Sequence, residues 1–213
     1  MKTDDLIGLL AADTAPVRRH AGEQRLAMAL GGGVLAALAW VFLVYGLRPD
    51  LAQVAGSGPF ALKVAMPLAV AVLGAVAVFR LGHPGMHLGG LRLGLVLPVL
   101  LLWLWALWVW NGAEPAQRDT LLWGDTWRVC SLNVALTALP VLALALWCLR
   151  GLAPTRPAWA GAAAGWLAGG VGATAYALHC PEMDAPFLAV WYVLGMLVPT
   201  ALGAIVGRRM LRW

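Results

Sequence analysis

The sequence is short of charge, and of acidic residues in particular. Only 12% of its 213 residues are charged, and ten Asp and Glu face 15 Lys and Arg. Soluble domains carry about 25% charged residues, so this composition argues against a cytosolic enzyme. The sequence also has no block of five like charges, no Cys-x-x-Cys pair and no nucleotide-binding glycine loop. These absences argue against a nucleic-acid tail, a thiol oxidoreductase and a nucleotide enzyme.

Apolar residues dominate the chain instead, at 62% of the total. They form continuous runs rather than the alternating pattern of barrel strands, which favours transmembrane helices. Each run approaches the roughly 20 residues that a bilayer requires. We therefore predict an all-α integral membrane protein with six transmembrane helices, at about 26–46, 59–79, 93–110, 129–149, 158–179 and 186–206.

The distribution of cations predicts the orientation in a bacterial inner membrane. Eleven of the 15 Lys and Arg fall in segments on the side of the two termini, and four fall on the other side. Since cytoplasmic segments are rich in Lys and Arg, both termini are expected in the cytoplasm. The predicted organisation is a cytoplasmic segment (1–25), a membrane domain (26–207) and a basic cytoplasmic C-terminus (208–213).

The N-terminal segment has the pattern of a short amphipathic helix. Thr3 is suited to cap it, acidic residues suit its first turn, and Pro16 is expected to close it. The helix could lie on headgroups or on its own bundle, or it could enter the groove of a partner protein. The residues proposed for partner binding are Asp4, Asp5, Leu6, Ile7, Leu9 and Leu10.

Two of the three cysteines, Cys130 and Cys180, are predicted to lie at the outer ends of the fourth and fifth helices. They would reach a similar depth, close enough for a disulfide to be reachable. His179 precedes Cys180, and a thiolate with an imidazole could hold a soft metal ion. The pair could form a thiol sensor, or it could be two buried thiols acting as small hydrophobic groups. Cys148 is interpreted as inert packing.

Other patterns bear on packing. Gly161, Gly165 and Gly169 share one helix face, which favours close packing within the chain, with homodimerisation as the alternative. Prolines lie inside four spans and are expected to bend them.

His83 and His87 have the spacing of a metal pair on a helix, but the Pro-Gly sequence between them favours a loop.

The sequence resembles the NrsF-like family of membrane anti-sigma factors. The resemblance rests on motifs spread over nearly the whole length, the most specific being His-Cys-Pro-Glu at 179–182 and Leu-Arg-Trp at 211–213. It implies that the N-terminus binds an extracytoplasmic-function sigma factor. It also implies that Cys130 and Cys180 sense metal or oxidative stress, with a heavy-metal ion as one signal.

Two alternative functions remain beside this one. A membrane thiol-disulfide oxidoreductase would need a reactive Cys-x-x-Cys pair, and a small-solute transporter would need ionisable groups within its spans. The spans offer little beyond a few hydroxyl and amide side chains. We therefore predict a regulator that is not an enzyme, binds no cofactor and makes no direct contact with nucleic acid.

Overall fold

The structure is a computed structural model that describes residues 3–12 and 20–212. Within these ranges every regular element is a helix, as expected. The helices are α1 Thr3–Ala12, α2 Ala21–Trp40, α3 Leu51–Val54, α4 Gly58–Gly82, α5 Leu91–Gly112, α6 Pro115–Trp123, α7 Trp127–Arg150, α8 Pro157–Tyr176, α9 Ala185–Phe187 and α10 Val193–Met210. Two π-helical turns adjoin them, Val41–Tyr45 after α2 and Leu188–Tyr192 before α10.

Five of the described helical segments are long and apolar enough to cross a membrane. They are Gly22–Tyr45, Gly58–Gly82, Leu91–Gly112, Pro115–Arg150 and Ala185–Met210. The run predicted at 158–179 also forms a long helix, α8, but that helix ends at Tyr176 and is rich in alanine and glycine. Its composition alone therefore does not establish a sixth span.

The glycine-rich helix α8 packs against α4, α7 and α10. A Cβ added at Gly169 would lie 2.8 Å from the Cα of Met196, and one added at Gly74 would lie 2.8 Å from the Cα of Leu167. A side chain at Gly161 would likewise clash with a carbonyl group on α10. The expected packing of the glycine face within the chain is therefore observed, with the backbones in close contact.

The helix ends can be compared with the sequence pattern. Thr3, the expected cap, is instead the first helical residue, a difference of one position. The expected helix stop at Pro16 lies outside the described residues. Helix α4 ends at Gly82, so His83 and His87 lie in a loop, as predicted. The prolines expected inside spans all lie within helices, at Pro67, Pro98, Pro140 and Pro199.

Candidate functional site

Two thiols meet at one end of the bundle. Cys130 lies in the first turn of α7, and Cys180 lies in the connection that follows α8. Both side chains are fully buried, both are free thiols, and they lie close enough to interact electrostatically. The structure thus brings together the two cysteines that the sequence pattern singles out. We call this region the thiol end; it comprises the two cysteines with Lys63, Arg48 and Glu182.

Sequence reasoning missed Lys63, which lies beside the thiols and is only 1% exposed. Its Nζ donates hydrogen bonds of 2.6 Å to the carbonyl oxygens of Cys180 and Glu182, and it lies 5.6 Å from the ring centroid of Tyr192. The available signal was a lysine near the edge of an otherwise apolar run. Ionisable groups within spans commonly mark a site, so the position could have been recognised from the sequence.

Arg48 is the second cation of the thiol end and is also buried. Its guanidinium donates two hydrogen bonds of 2.7 Å to the Asp50 carboxylate and one of 3.2 Å to the carbonyl oxygen of Cys180. The hydrogen bonds from Arg48 lower the pKa of Asp50. The Cys180 carbonyl oxygen therefore accepts from Arg48 and Lys63, which fixes the backbone at the cysteine.

The surroundings of Cys180 favour its thiolate. The interaction with the Cys130 thiol and the nearby Lys63 ammonium lower the pKa of Cys180, although burial opposes this shift. The thiolate is the nucleophilic and metal-binding form of cysteine. The surroundings therefore favour the form of Cys180 that reacts with an oxidant or binds a soft metal ion.

Glu182 connects the Cys180 segment to the beginning of α7. Its Oε1 accepts hydrogen bonds from the backbone N–H groups of Asp125 (2.8 Å) and Thr126 (3.2 Å) and from the Thr126 hydroxyl (3.3 Å). A negative charge near a helix N-terminus is favourable. The backbone N–H of Cys130 in turn donates to the carbonyl oxygen of Thr126. Glu182 thus stabilises the turn that positions the partner thiol.

The imidazole of His179 borders the thiol end. Its Nδ1 lies 3.0 Å from the carbonyl oxygen of Gly46. Its ring packs against those of Tyr45 and Tyr176, with centroids 5.4 Å and 5.5 Å away. These contacts tie the segment before Cys180 to the end of the first apolar segment, so the ring holds this part of the fold in place.

Metal binding through Cys130, Cys180 and His179 stays a prediction. The thiolate and imidazole chemistry suits a soft or borderline ion. Among the residues that the structure describes, however, no group of three or more His, Cys, Asp or Glu is arranged to hold a metal ion. The geometry therefore supports a thiol pair more directly than a three-ligand metal site.

Sequence comparison places the chain among known regulators. Residues 10–213 match the family model NrsF, described as "Negative regulator of sigma F". The chain belongs to the NrsF family. It is 43% identical over 213 residues to the "Probable anti-sigma-F factor NrsF" of Azospira oryzae, and 41% identical over 217 residues to the "Anti-sigma-F factor NrsF" of Caulobacter vibrioides. Both alignments cover 100% of each chain. No solved structure matches this chain.

The N-terminal helix of this NrsF family member differs from the thiol end in having no buried residue. Asp4 and Asp5 lie in its first turn, as expected. The apolar residues predicted to contact a partner are all exposed, namely Leu6, Ile7, Leu9 and Leu10. An apolar surface on a short helix is available for contact with another molecule.

Cys148, the third cysteine, is also fully buried. It lies near the end of α7 and Cys130 lies near its beginning. The two positions are 18 residues apart along α7, which corresponds to about 27 Å at the rise of an α-helix. This distance separates Cys148 from the thiol end and from the chemistry of the other two thiols. Its interpretation as a packing residue stays a prediction.

Proposed function

We propose that this protein is an inner-membrane anti-sigma factor with a thiol sensor. Its cytoplasmic N-terminal segment would sequester an extracytoplasmic-function sigma factor. Metal or oxidant acting on Cys130 and Cys180 at the outer face would then release that factor. The observation that carries the proposal is the full-length similarity to two anti-sigma-F factors.

The membrane arrangement in this proposal has six spans with both termini in the cytoplasm. Helix α8 has 20 residues, which at 1.5 Å per residue gives about 30 Å, the thickness of a bilayer core. It packs against three helices that are apolar enough to span. A helix that touches protein on most sides does not need the hydropathy of one that faces lipid, so α8 fits a sixth span. The excess of Lys and Arg on the side of the termini supports the orientation.

The sensing step would use the two buried thiols. Hydrogen peroxide would accept two electrons and the two thiol protons, which gives a disulfide and two water molecules. A soft metal ion would instead displace the thiol protons and bind the sulfurs. Cys130 belongs to α7 and Cys180 precedes α10, so either event would shift these helices relative to each other. Such a shift would change how the N-terminal segment is presented.

The first test separates the inhibitory segment from the sensor. Cells carrying the candidate sigma factor and a promoter reporter would express the wild type, a deletion of residues 2–15, or Leu6→Ser with Leu10→Ser. The two leucines are one helical turn apart and share a face. Gly8→Ala is the matched control, because an added Cβ there meets no atom within 4 Å. We expect high reporter output from the deletion and the double-serine variant, and repression by the control.

The sensor arm of the same experiment uses Cys130→Ser with Cys180→Ser, and Cys148→Ser as its matched control. The control should respond to metal and oxidant, whereas the double variant should keep repressing. Unchanged output from the deletion would contradict the anti-sigma function. A normal response from the double variant would contradict the sensor while leaving repression intact.

A further inference from the structure

A second site lies at the opposite end of the bundle, where α8 begins. A cavity of about 490 Å³ lies between the loop after α4, the beginning of α5, the beginning of α8 and the middle of α10. Arg156, at the mouth of the cavity, is separated from the thiol end by the 20 residues of α8, about 30 Å. We call this region the arginine end, because Arg92 and Arg156 line the cavity.

Among the residues that line this cavity, the charged ones are both basic. They are Arg92 and Arg156, and no Asp or Glu lines the cavity. Within residues 3–12 and 20–212, neither guanidinium makes a hydrogen bond or an ion pair. Two arginines that line one cavity without partners can each donate charge-assisted hydrogen bonds to an anion.

The N-termini of two helices add to the positive electrostatic potential at the cavity. Arg156 is the N-cap of α8, and Arg92 lies in the first turn of α5. Neither helix has an acidic residue in its first turn or a side-chain cap. Cations are unfavourable at helix N-termini, whereas anions are stabilised there. The two helix ends and the two arginines therefore favour the same ligand charge.

Apart from Thr155 and Thr200, the rest of the cavity lining is mainly apolar. Leu95 and Val96 of α5, Trp159 and Ala162 of α8 and Leu197 of α10 form its walls. Helix α5 is also the least protein-covered of the five apolar segments, with 11% of its apolar 18-residue stretch buried. The groove therefore adjoins the lipid-facing surface. A soluble anion would use only the basic mouth, whereas a phospholipid would use the mouth and the walls.

We propose that this cavity binds an anionic phospholipid, with its headgroup phosphate at Arg92 and Arg156 and an acyl chain along α5 and α8. Basic pockets between transmembrane helices on the cytoplasmic side are suited to such headgroups, and the arginine end is on that side in the orientation proposed above. The site is separate from the thiol end. Lipid binding can therefore be measured without the sigma factor, and its failure would leave the anti-sigma function untouched.

Native mass spectrometry of the purified full chain tests the proposal with added phosphatidylglycerol or phosphatidylcholine. The variant Arg92→Gln with Arg156→Gln removes both guanidinium groups. Its matched control, Arg208→Gln with Arg209→Gln, removes the same charge from exposed positions at the end of α10, outside the cavity lining. A third variant, Ala162→Phe, fills the apolar wall without changing charge.

We expect wild type and control to prefer phosphatidylglycerol, and the Arg92/Arg156 variant to bind it at least tenfold more weakly. Ala162→Phe should weaken binding too, because its ring would occupy the space of the acyl chain. Undiminished binding by either variant would overturn the proposal.

Three other outcomes would also overturn it. Equal loss in the control variant would indicate a general surface attraction. Glycerol phosphate competing as well as the lipid would indicate a soluble anion. A photo-cross-linker at position 9 that reacts with α5 or α8, without lipid uptake, would indicate that α1 occupies the cavity.

Discussion

At the thiol end, Lys63 and Arg48 are buried and donate to the carbonyl oxygen of Cys180. At the arginine end, Arg92 and Arg156 are exposed and have no partner among the described residues. A buried cation must be compensated by fixed acceptors, since its desolvation is costly. An exposed cation remains hydrated and can bind an external group. The thiol end is thus organised internally, whereas the arginine end is available to ligands.

The largest expected loss of stability comes from a substitution that disrupts the helix packing between the two ends. A Cβ added at Gly165 would lie 2.6 Å from the carbonyl carbon of Pro199, so Gly165→Ala forces α8 and α10 apart. We expect a loss of about 3 kcal/mol, measured as a lower apparent Tm in detergent. Gly31→Ala is the matched control, because an added Cβ there meets nothing within 4 Å. A similar Tm for both variants would show that the contact with α10 is not tight.

The next effect concerns the thiol end alone. Lys63→Met keeps the length of the side chain but leaves the carbonyl oxygens of Cys180 and Glu182 without this donor. The Cys180 oxygen still accepts from Arg48, but the Glu182 oxygen loses its Lys63 donor. An acceptor left without a partner costs about 1–3 kcal/mol, so the apparent Tm should fall. The exposed Arg128 provides the control, as Arg128→Gln. If Lys63→Met were as stable as the control, the ammonium would not be essential to the local structure.

The same substitution should change the acidity of Cys180. After the interaction with Cys130, Lys63 is the nearby group that lowers the pKa of Cys180, so its removal should raise that pKa. Cysteine is neutral below its pKa, and the thiolate would therefore form at higher pH in Lys63→Met than in the wild type. Thiolate ultraviolet absorbance against pH measures this difference, with Cys180→Ser as the background. Superimposed titration curves would contradict the assigned role of Lys63.

A smaller and more local effect is expected at the turn before α7. Glu182→Ala removes the acceptor for the backbone N–H groups of Asp125 and Thr126. Hydrogen exchange at these amides should become faster, with a loss of about 1 kcal/mol in stability. Glu114→Ala, at an exposed position at the start of α6, is the control. Unchanged exchange would mean that the carboxylate does not hold the turn.

The sequence predicted the helices well because apolar runs in a membrane have few alternatives to a helix. Each of the six predicted runs overlaps a long helix, and the glycine spacing on α8 correctly indicated close packing within the chain. Composition alone identifies five candidate spans, because the alanine and glycine that allow α8 to pack closely also lower its hydropathy. Counting residues along α7 and α8 predicted that Cys130 and Cys180 lie at the same end of the bundle.

The surroundings of the thiols could not be predicted in the same way. Lys63 and Arg48 reach Cys180 across more than 100 residues of chain, and no local pattern encodes such a contact. Composition, helix positions and the placement of Cys130 and Cys180 at one end of the bundle follow from the sequence, since they depend on local hydrophobicity and helical rise. Only the tertiary structure decided which polar groups share the bundle end, because it determines which carbonyl oxygens can compensate a buried charge.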